Sequence, residues 1–233
     1  MDLGLRERYE RFTRTVADAA RELGRDPAAI TIVAVTKTQP AAALRAGRDA
    51  GLSDIGENYV QEARAKFEEA QVAGLRRHFI GHIQTNKARA IVELFDFVQS
   101  IDRLDAARAL SRAAASAGKR LPVLLQVNVS PTDRFGCPPG DAGSLAEAVR
   151  AEAGLDLQGV MAIGPAADDR AEVARSFDLA RSVCEQIGGT VLSIGMSGDW
   201  REALAAGSTM LRVGTGLFGP RPRKAELAAT SKT

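Results

Sequence analysis

Eight short runs of apolar and β-branched residues recur along the 233-residue chain, each followed by a stretch of helical periodicity. The runs are Ile30–Thr36, Asp54–Gly56, His78–Gly81, Phe97–Ile101, Val123–Asn128, Leu157–Ile163, Thr190–Met196 and Thr209–Gly214. The helical stretches between them fall near residues 40–50, 58–73, 84–94, 103–117, 140–153, 168–187 and 199–206. One more amphipathic pattern, over residues 2–24, precedes the first run and is stopped by Gly24 and Pro27. Strands alternating with helices in this way argue for parallel βαβ units. Right-handed crossovers then allow an open doubly wound sheet or a closed (β/α)8 barrel of the TIM type. Eight strands in a chain of this length favour the barrel, whose usual size is roughly 250 residues. No Pro/Gly/Ser-rich linker divides the pattern, so residues 1–221 are expected to form a single α/β barrel domain with an extra N-terminal helix. The polar, aperiodic residues 222–233 are expected to form a flexible tail.

Composition removes several function classes. A net charge of +2, with arginines scattered over many helical stretches, gives no basic face for nucleic acid. Cys137 and Cys184 have neither C-x-x-C nor metal-ligand spacing and read as two free thiols. The N-terminus has no apolar signal core, and no apolar stretch approaches a membrane span. A cytoplasmic protein is expected, with no metal, no nucleic acid and no membrane among its partners.

A barrel carries its active site at the C-terminal ends of the strands. Lys37 closes the first run. Only six of the 31 basic residues are lysine, so this chain uses arginine wherever positive charge suffices. Arginine cannot serve as an amine nucleophile, because its guanidinium stays protonated. Lys37 is therefore a candidate for covalent chemistry, although a strand-end lysine reaching into solvent is the commonplace alternative. The later strand ends bear Glu57-Asn58-Tyr59, His78 and His82, Asn128, Gly195-Met196-Ser197-Gly198 and Arg212-Val213-Gly214-Thr215-Gly216.

The last two ends suggest an anion site. Barrels recurrently bind phosphate with the loops after strands seven and eight. Here Ser197-Gly198-Asp199 precedes a helix, and Gly214-Thr215-Gly216 lets backbone amides approach an oxygen closely. Each motif alone also fits a helix cap or a turn. Phosphate facing a strand-end lysine suggests a phosphorylated carbonyl compound held as an imine, with pyridoxal phosphate the leading candidate. Arg212, if turned inward, faces the ring nitrogen and disfavours its protonation, which weakens the electron sink that carbanion chemistry needs. Lys37 must be neutral to attack an aldehyde. Partial burial and the Arg212 charge would both lower its pKa from the ordinary value of about 10.4.

Several blocks carry a specific resemblance. They are Ala34-Val35-Thr36-Lys37-Thr38, Ile55-Gly56-Glu57-Asn58-Tyr59-Val60-Gln61-Glu62 and His78-Phe79-Ile80-Gly81-His82-Ile83-Gln84-Thr85-Asn86-Lys87. Further along come Gly159-Val160-Met161-Ala162-Ile163, Leu192-Ser193-Ile194-Gly195-Met196-Ser197 and the block from Ala206 to Gly219. Over about residues 30–221 the chain resembles the pyridoxal phosphate homeostasis protein family. The resemblance implies one barrel of PLP fold type III, like the N-terminal domain of alanine racemase but without the second β-domain. It implies pyridoxal 5'-phosphate as a covalent imine on Lys37, with Ser197, Gly214 and Thr215 on the phosphate and Arg212 at the ring nitrogen. Asn58, His78 and Met196 would line the ring pocket. The family is regarded as buffering or delivering the cofactor without robust turnover. Two departures stand out: Arg77 where the family often has Trp, and Arg134-Phe135-Gly136 where it commonly has Lys-Ser-Gly.

The expected function is intracellular pyridoxal phosphate homeostasis by a monomeric carrier, with transient contact to apo-enzymes and no catalytic residue. Lys87 and Arg89 are candidates to assist release, although a solvated helix face is the commoner explanation of such residues. A low-activity racemase or lyase of the same fold is the alternative. A Schiff-base aldolase acting on a sugar phosphate fits Arg212 and the family blocks less well.

Overall fold

The computed structural model describes residues 4–130, 135–166 and 169–219. Eight parallel strands close into a barrel in chain order: β1 (Thr31–Val35), β2 (Asp54–Glu57), β3 (Arg76–Phe79), β4 (Phe97–Ile101), β5 (Leu121–Val127), β6 (Leu155–Ala162), β7 (Val191–Ser193) and β8 (Met210–Val213). Closure is made by β8 on β1, with Arg212 paired to Val33 and Val213 to Ala34. Helices α2 (Ala41–Asp49), α3 (Val60–Ala70), α4 (Ala88–Leu94), α5 (Leu104–Ser116), α6 (Ala142–Arg150), α7 (Arg170–Gln186) and α8 (Trp200–Ala205) fill the seven crossovers. The leading helix α1 (Leu5–Glu22) and a short closing helix α9 (Thr215–Phe218) complete the chain as described. The tail expected from residue 222 and residues 133–134 of the loop 133–136 lie outside the described residues.

Strand alternation divides the core into two layers. Ala34, Ile55, Phe79, Val98 and Val123 face outward and join the helices in the main core. Phe97, Leu124 and Met161 form a second, smaller cluster on the opposite face of the strands, inside the barrel. Each helix turns an apolar stripe to the sheet: α7 buries Val173, Phe177, Ala180 and Cys184, at helical spacing. Its start is fixed by Asp169, whose carboxylate accepts the Ala171 N–H at 2.8 Å, a cap worth about 1 kcal/mol. Helix α1 is tied across to the end of the chain by Arg8, which donates to the Leu217 carbonyl at 2.6 Å, and by Phe12 edge-on to Trp200.

The elements follow the order read from the sequence, with one displacement that matters. The third strand begins at Arg76 and ends at Phe79, two residues upstream of the expected run. Apolar content hid this, because the strand opens with two arginines. Arg77 is half-buried in a fork with Asp96, at 2.9 and 2.8 Å, and Arg76 lies over the Phe97 ring at 4.7 Å. His78, expected to open the strand, is thereby its third residue of four. Helix α9 was not anticipated; its four residues are too few for periodicity to show.

Candidate functional site

Lys37, two residues beyond β1, lines a cleft of about 260 Å³ together with Met196, Ser197, Arg212, Gly214 and Thr215. Six of the eight residues expected in the site are thus brought together by three strand ends that are adjacent around the barrel. The turn after β7 depends on Gly195. Its φ is +92°, and a Cβ there would lie 2.4 Å from the Ala203 Cβ and 2.9 Å from Leu211 Cδ2. That tight turn sets Ser197 beside the loop after β8, where its hydroxyl oxygen accepts the Gly216 N–H at 3.0 Å. Asp199 holds the same turn by accepting the Met196 N–H at 2.5 Å. A hydroxyl, a glycine-rich turn and Thr215 therefore share one end of the cleft, and Lys37 belongs to the strand next to it.

Arg212 forms the floor. It turns inward and is 4% exposed. Nη1 donates to the Ser193 carbonyl at 2.6 Å and to its hydroxyl at 2.8 Å, and Nη2 donates to the Ala162 carbonyl at 2.9 Å. Burial pushes its pKa down to about 10, partly opposed by Asp199, so the guanidinium remains charged at neutral pH. The alternative of an outward ion pair is excluded by this inward packing.

Two expected residues lie elsewhere. His78 is fully buried and does not line the cleft; its Nε2 meets Asp54 at 2.8 Å, its Nδ1 meets Gln99 at 2.9 Å, and the ring stacks on Phe97. Strand alternation is the reason: Phe79 faces the helices, so His78 points into the barrel's interior, on a strand two removed from β1. Asn58 lines a separate recess of about 170 Å³ with Tyr59, His82, Gln84 and Lys87. Its Oδ1 is buried without a hydrogen-bond partner among the described residues. Gly81 belongs to the same junction, where any side chain would run into the Asn58 carbonyl at 2.0 Å. Phe135, from the loop after β5, stacks on His82 at 4.1 Å. Lys87 thus shares a recess with His82, while Arg89 is an exposed residue paired with Glu93.

The sequence reading missed a buried cluster behind Lys37. Lys66, 6% exposed on α3, donates to the Thr36 carbonyl at 2.7 Å, to Glu57 Oε1 at 2.6 Å and to Glu62 Oε1 at 2.8 Å. Thr36 Oγ1 also donates to Glu57, at 2.7 Å, and the Thr38 N–H donates to Glu62, at 2.6 Å. These bonds clamp the backbone on both sides of Lys37. They also hold Thr38 at φ +65°, an arrangement that costs a β-branched residue roughly 1–3 kcal/mol. Burial raises the Glu57 pKa, against the lowering pull of the Lys66 ammonium. The scarcity of lysine that singled out Lys37 applied equally to Lys66, and Glu62 four residues before it was the second signal.

Among the described residues no cluster of potential ligands could hold a metal, and no helix is long and apolar enough to cross a membrane.

Comparison with known proteins identifies the family and the fold. The family model described as alanine racemase, N-terminal domain, matches residues 10–222. A protein of Pseudomonas aeruginosa named pyridoxal phosphate homeostasis protein is 44% identical, covering 92% of this chain and 95% of its own length. The Escherichia coli K12 protein of the same name is 42% identical, covering 88% and 92%. Among solved structures, PipY of Synechococcus elongatus PCC7942 with PLP bound superposes with a TM-score of 0.78 at 36% identity, covering 88% of this chain and 100% of that one. An alanine racemase of Clostridium difficile shares the fold, with a TM-score of 0.66 at 16% identity. The chain belongs to the pyridoxal phosphate homeostasis protein family, built on the fold of the alanine racemase N-terminal domain.

Proposed function

We propose that this protein binds pyridoxal phosphate as an imine of Lys37 and serves to hold and release it for the cell's apo-enzymes, without robust turnover of its own. The observation that carries the reading is the single cleft in which Lys37 shares walls with Ser197, Gly214 and Thr215 over the guanidinium of Arg212. The names of the relatives and the PLP-bound PipY structure support it.

The donor set fits the group. Ser197 Oγ, Thr215 and the backbone of the Gly214–Gly216 turn suit a phosphate, which favours several N–H and O–H donors on a small-residue turn. Lys37 supplies an amine able to condense with an aldehyde, forming one C=N bond and releasing water. Arg212 presents a buried cation where a ring nitrogen would sit. When bound, the cofactor supplies an electrophilic aldehyde and an electron-withdrawing ring. Arg212 limits the second of these, because a fixed positive charge beside the ring nitrogen opposes its protonation. That cation is why we favour a carrier over a racemase or lyase, the second reading that the shared fold keeps open. Met196, 38% exposed at the cleft edge, leaves the site reachable from solvent. In this reading His78 lies below the floor of the cleft, joined to it through Gln99, and Asn58 lines the neighbouring recess.

Reconstitution tests both halves. Apo-protein mixed with pyridoxal phosphate should develop a visible absorption band that borohydride fixes on the Lys37 peptide and that Lys37→Ala lacks. A colourless mixture defeats the binding reading. Steady turnover of an amino acid by the loaded protein, absent in Lys37→Ala, defeats the carrier reading in favour of the enzyme. Activation of an apo-enzyme by the loaded protein, faster than by Lys37→Ala mixed with the same pyridoxal phosphate, supports delivery.

A further inference from the structure

A single line of hydrogen bonds crosses the interior of the barrel from the floor of the cleft. Arg212 Nη1 reaches Ser193 Oγ at 2.8 Å, Ser193 Oγ reaches Gln99 Oε1 at 2.7 Å, Gln99 Nε2 reaches His78 Nδ1 at 2.9 Å, and His78 Nε2 reaches Asp54 Oδ1 at 2.8 Å. All five residues are buried. Ser53 closes the far end by donating to Asp54 Oδ2 at 2.6 Å.

The chemistry of the two ends fixes the direction of everything between. Arginine can only donate, and an ionised aspartate can only accept. Ser193 must therefore accept from Arg212 and give its one proton to the Gln99 oxygen. The Gln99 amide nitrogen then donates to His78 Nδ1, which leaves the histidine proton on Nε2, pointing at Asp54. Reversing Gln99 would set a bare His78 nitrogen against the Asp54 carboxylate unless the ring carried a second proton. Burial opposes that second proton and holds the His78 pKa below its ordinary value. Burial pushes the Asp54 pKa up, but bonds from His78 and Ser53 outweigh it, and the carboxyl stays ionised.

We propose that Ser193, Gln99, His78 and Asp54 are positioning residues for Arg212, a one-way donor chain that holds its guanidinium at the floor of the cleft. Among the described residues Arg212 has no carboxylate partner within ion-pair distance. Three of its N–H donors are spent on Ser193 and Ala162. Guanidinium carries five, so two remain for a ligand. A carboxylate in direct contact would have occupied those donors and neutralised the charge at the cleft. Asp199 supports the charge without a direct contact, and the neutral groups of the chain hold the guanidinium while leaving its outer donors available. The proposal rests on the reading that Arg212 faces the ring of pyridoxal phosphate.

Nitrogen NMR on ¹⁵N-histidine apo-protein at pH 7 tests the direction without any cofactor. His82→Gln removes the other of the two histidines, so the remaining signals belong to His78. The proton is expected on Nε2, with Nδ1 bare. Gln99→Glu offers only acceptors and should draw a proton onto Nδ1, a change that loss of packing would not produce. A wild-type ring protonated on Nδ1 overturns the direction. Ser193→Ala, which deletes one oxygen, tests the positioning: pyridoxal phosphate should bind about tenfold more weakly and its visible band should move. Unchanged affinity and band in a folded Ser193→Ala protein overturn the positioning role. Failure of the wild type itself to bind pyridoxal phosphate overturns the cofactor reading and the positioning role with it, while the nitrogen spectrum still decides the direction of the chain.

Discussion

The Nζ of Lys66 lies 2.6 Å from Oε1 of Glu57, in a pocket that neither residue shares with solvent, directly behind the strand end that carries Lys37. The pair is buried, and burial makes each charge depend on the other. Removing one partner strands the other, which typically costs 3–5 kcal/mol. Lys66→Met is therefore expected to lower unfolding free energy by about that amount in urea denaturation at pH 7.5. The deficit should shrink toward pH 5. Burial already raises the Glu57 pKa above its ordinary 4.5, and loss of Lys66 raises it further, so acid lets the folded state neutralise the stranded carboxylate. A deficit independent of pH would show that packing, and not the charge, sets the cost.

His78 predicts a pH slope of the opposite sense. Its folded pKa is lowered by burial from 6.5, so above that pH both folded and unfolded states hold it neutral. Below pH 6.5 the unfolded chain takes up a proton that the folded state refuses, and stability falls until the folded pKa is reached. The slope from one such group is at most about 1.4 kcal/mol per pH unit. Against His78→Gln, the wild type should show its full advantage at pH 7.5 and lose part of it by pH 5.5. Urea midpoints at the two pH values measure this, and a constant difference would place a charged imidazole in the folded barrel. Asp54, whose folded pKa is lowered below 3.8, adds its loss in the wild type only at more acidic pH.

The sequence revealed the barrel because its signals are local and repeated. Each β-branched run and each helical stretch announces itself without knowledge of its partners. The cleft was legible for a related reason: strand ends of a parallel barrel all arrive at one rim, so Lys37, Ser197, Arg212, Gly214 and Thr215 could be placed together from strand order alone. His78 was grouped with the strand-end residues because its type suits a site, but alternation with Phe79 turns it into the interior, where Asp54 and Gln99 hold it. The interior chain was invisible for a different reason. Asp54, Gln99 and Ser193 sit in three separate strands as single polar residues among apolar ones, and only barrel closure brings them into contact. Lys66 was within reach, yet a lysine on an amphipathic helix looks the same in sequence whether its ammonium is solvated or buried.

Gly195 gives a prediction about the phosphate end. Alanine there must adopt φ +92° and place its Cβ 2.4 Å from that of Ala203. Strain of this kind costs roughly 1–3 kcal/mol, and relief requires the turn to move. Gly195→Ala is expected to lose stability in that range in urea denaturation. Because the same turn places Ser197, affinity for pyridoxal phosphate should fall with it. A variant of wild-type stability and affinity would show that the turn relaxes without disturbing Ser197.

Arg212→Lys tests fork geometry separately from charge. Lysine keeps the cation but offers one point of donation where the guanidinium serves the Ser193 carbonyl, the Ser193 hydroxyl and the Ala162 carbonyl. Leaving buried acceptors unpaired costs about 1–3 kcal/mol. Both stability and pyridoxal phosphate affinity are expected to drop, with a tenfold or greater rise in the dissociation constant by titration of the visible band. Retention of wild-type affinity would mean that positive charge alone is what the floor of the cleft supplies.

The phosphate assignment can be separated from its structural surroundings by changing the ligand as well as the protein. Ser197 Oγ accepts the Gly216 N–H at 3.0 Å, so Ser197→Ala removes both a cleft hydroxyl and a brace between the two loops. Pyridoxal retains the ring and aldehyde but has no phosphate. If Ser197 donates to the phosphate, Ser197→Ala weakens pyridoxal phosphate about tenfold, the order expected for a charge-assisted hydrogen bond, and leaves pyridoxal nearly unchanged. Equal weakening of both ligands would instead make Ser197 a brace for the cleft, and the phosphate would rest on the Gly214–Gly216 turn and Thr215. Titrating both ligands against both proteins gives the coupling directly, since any general loosening of the fold cancels in the comparison.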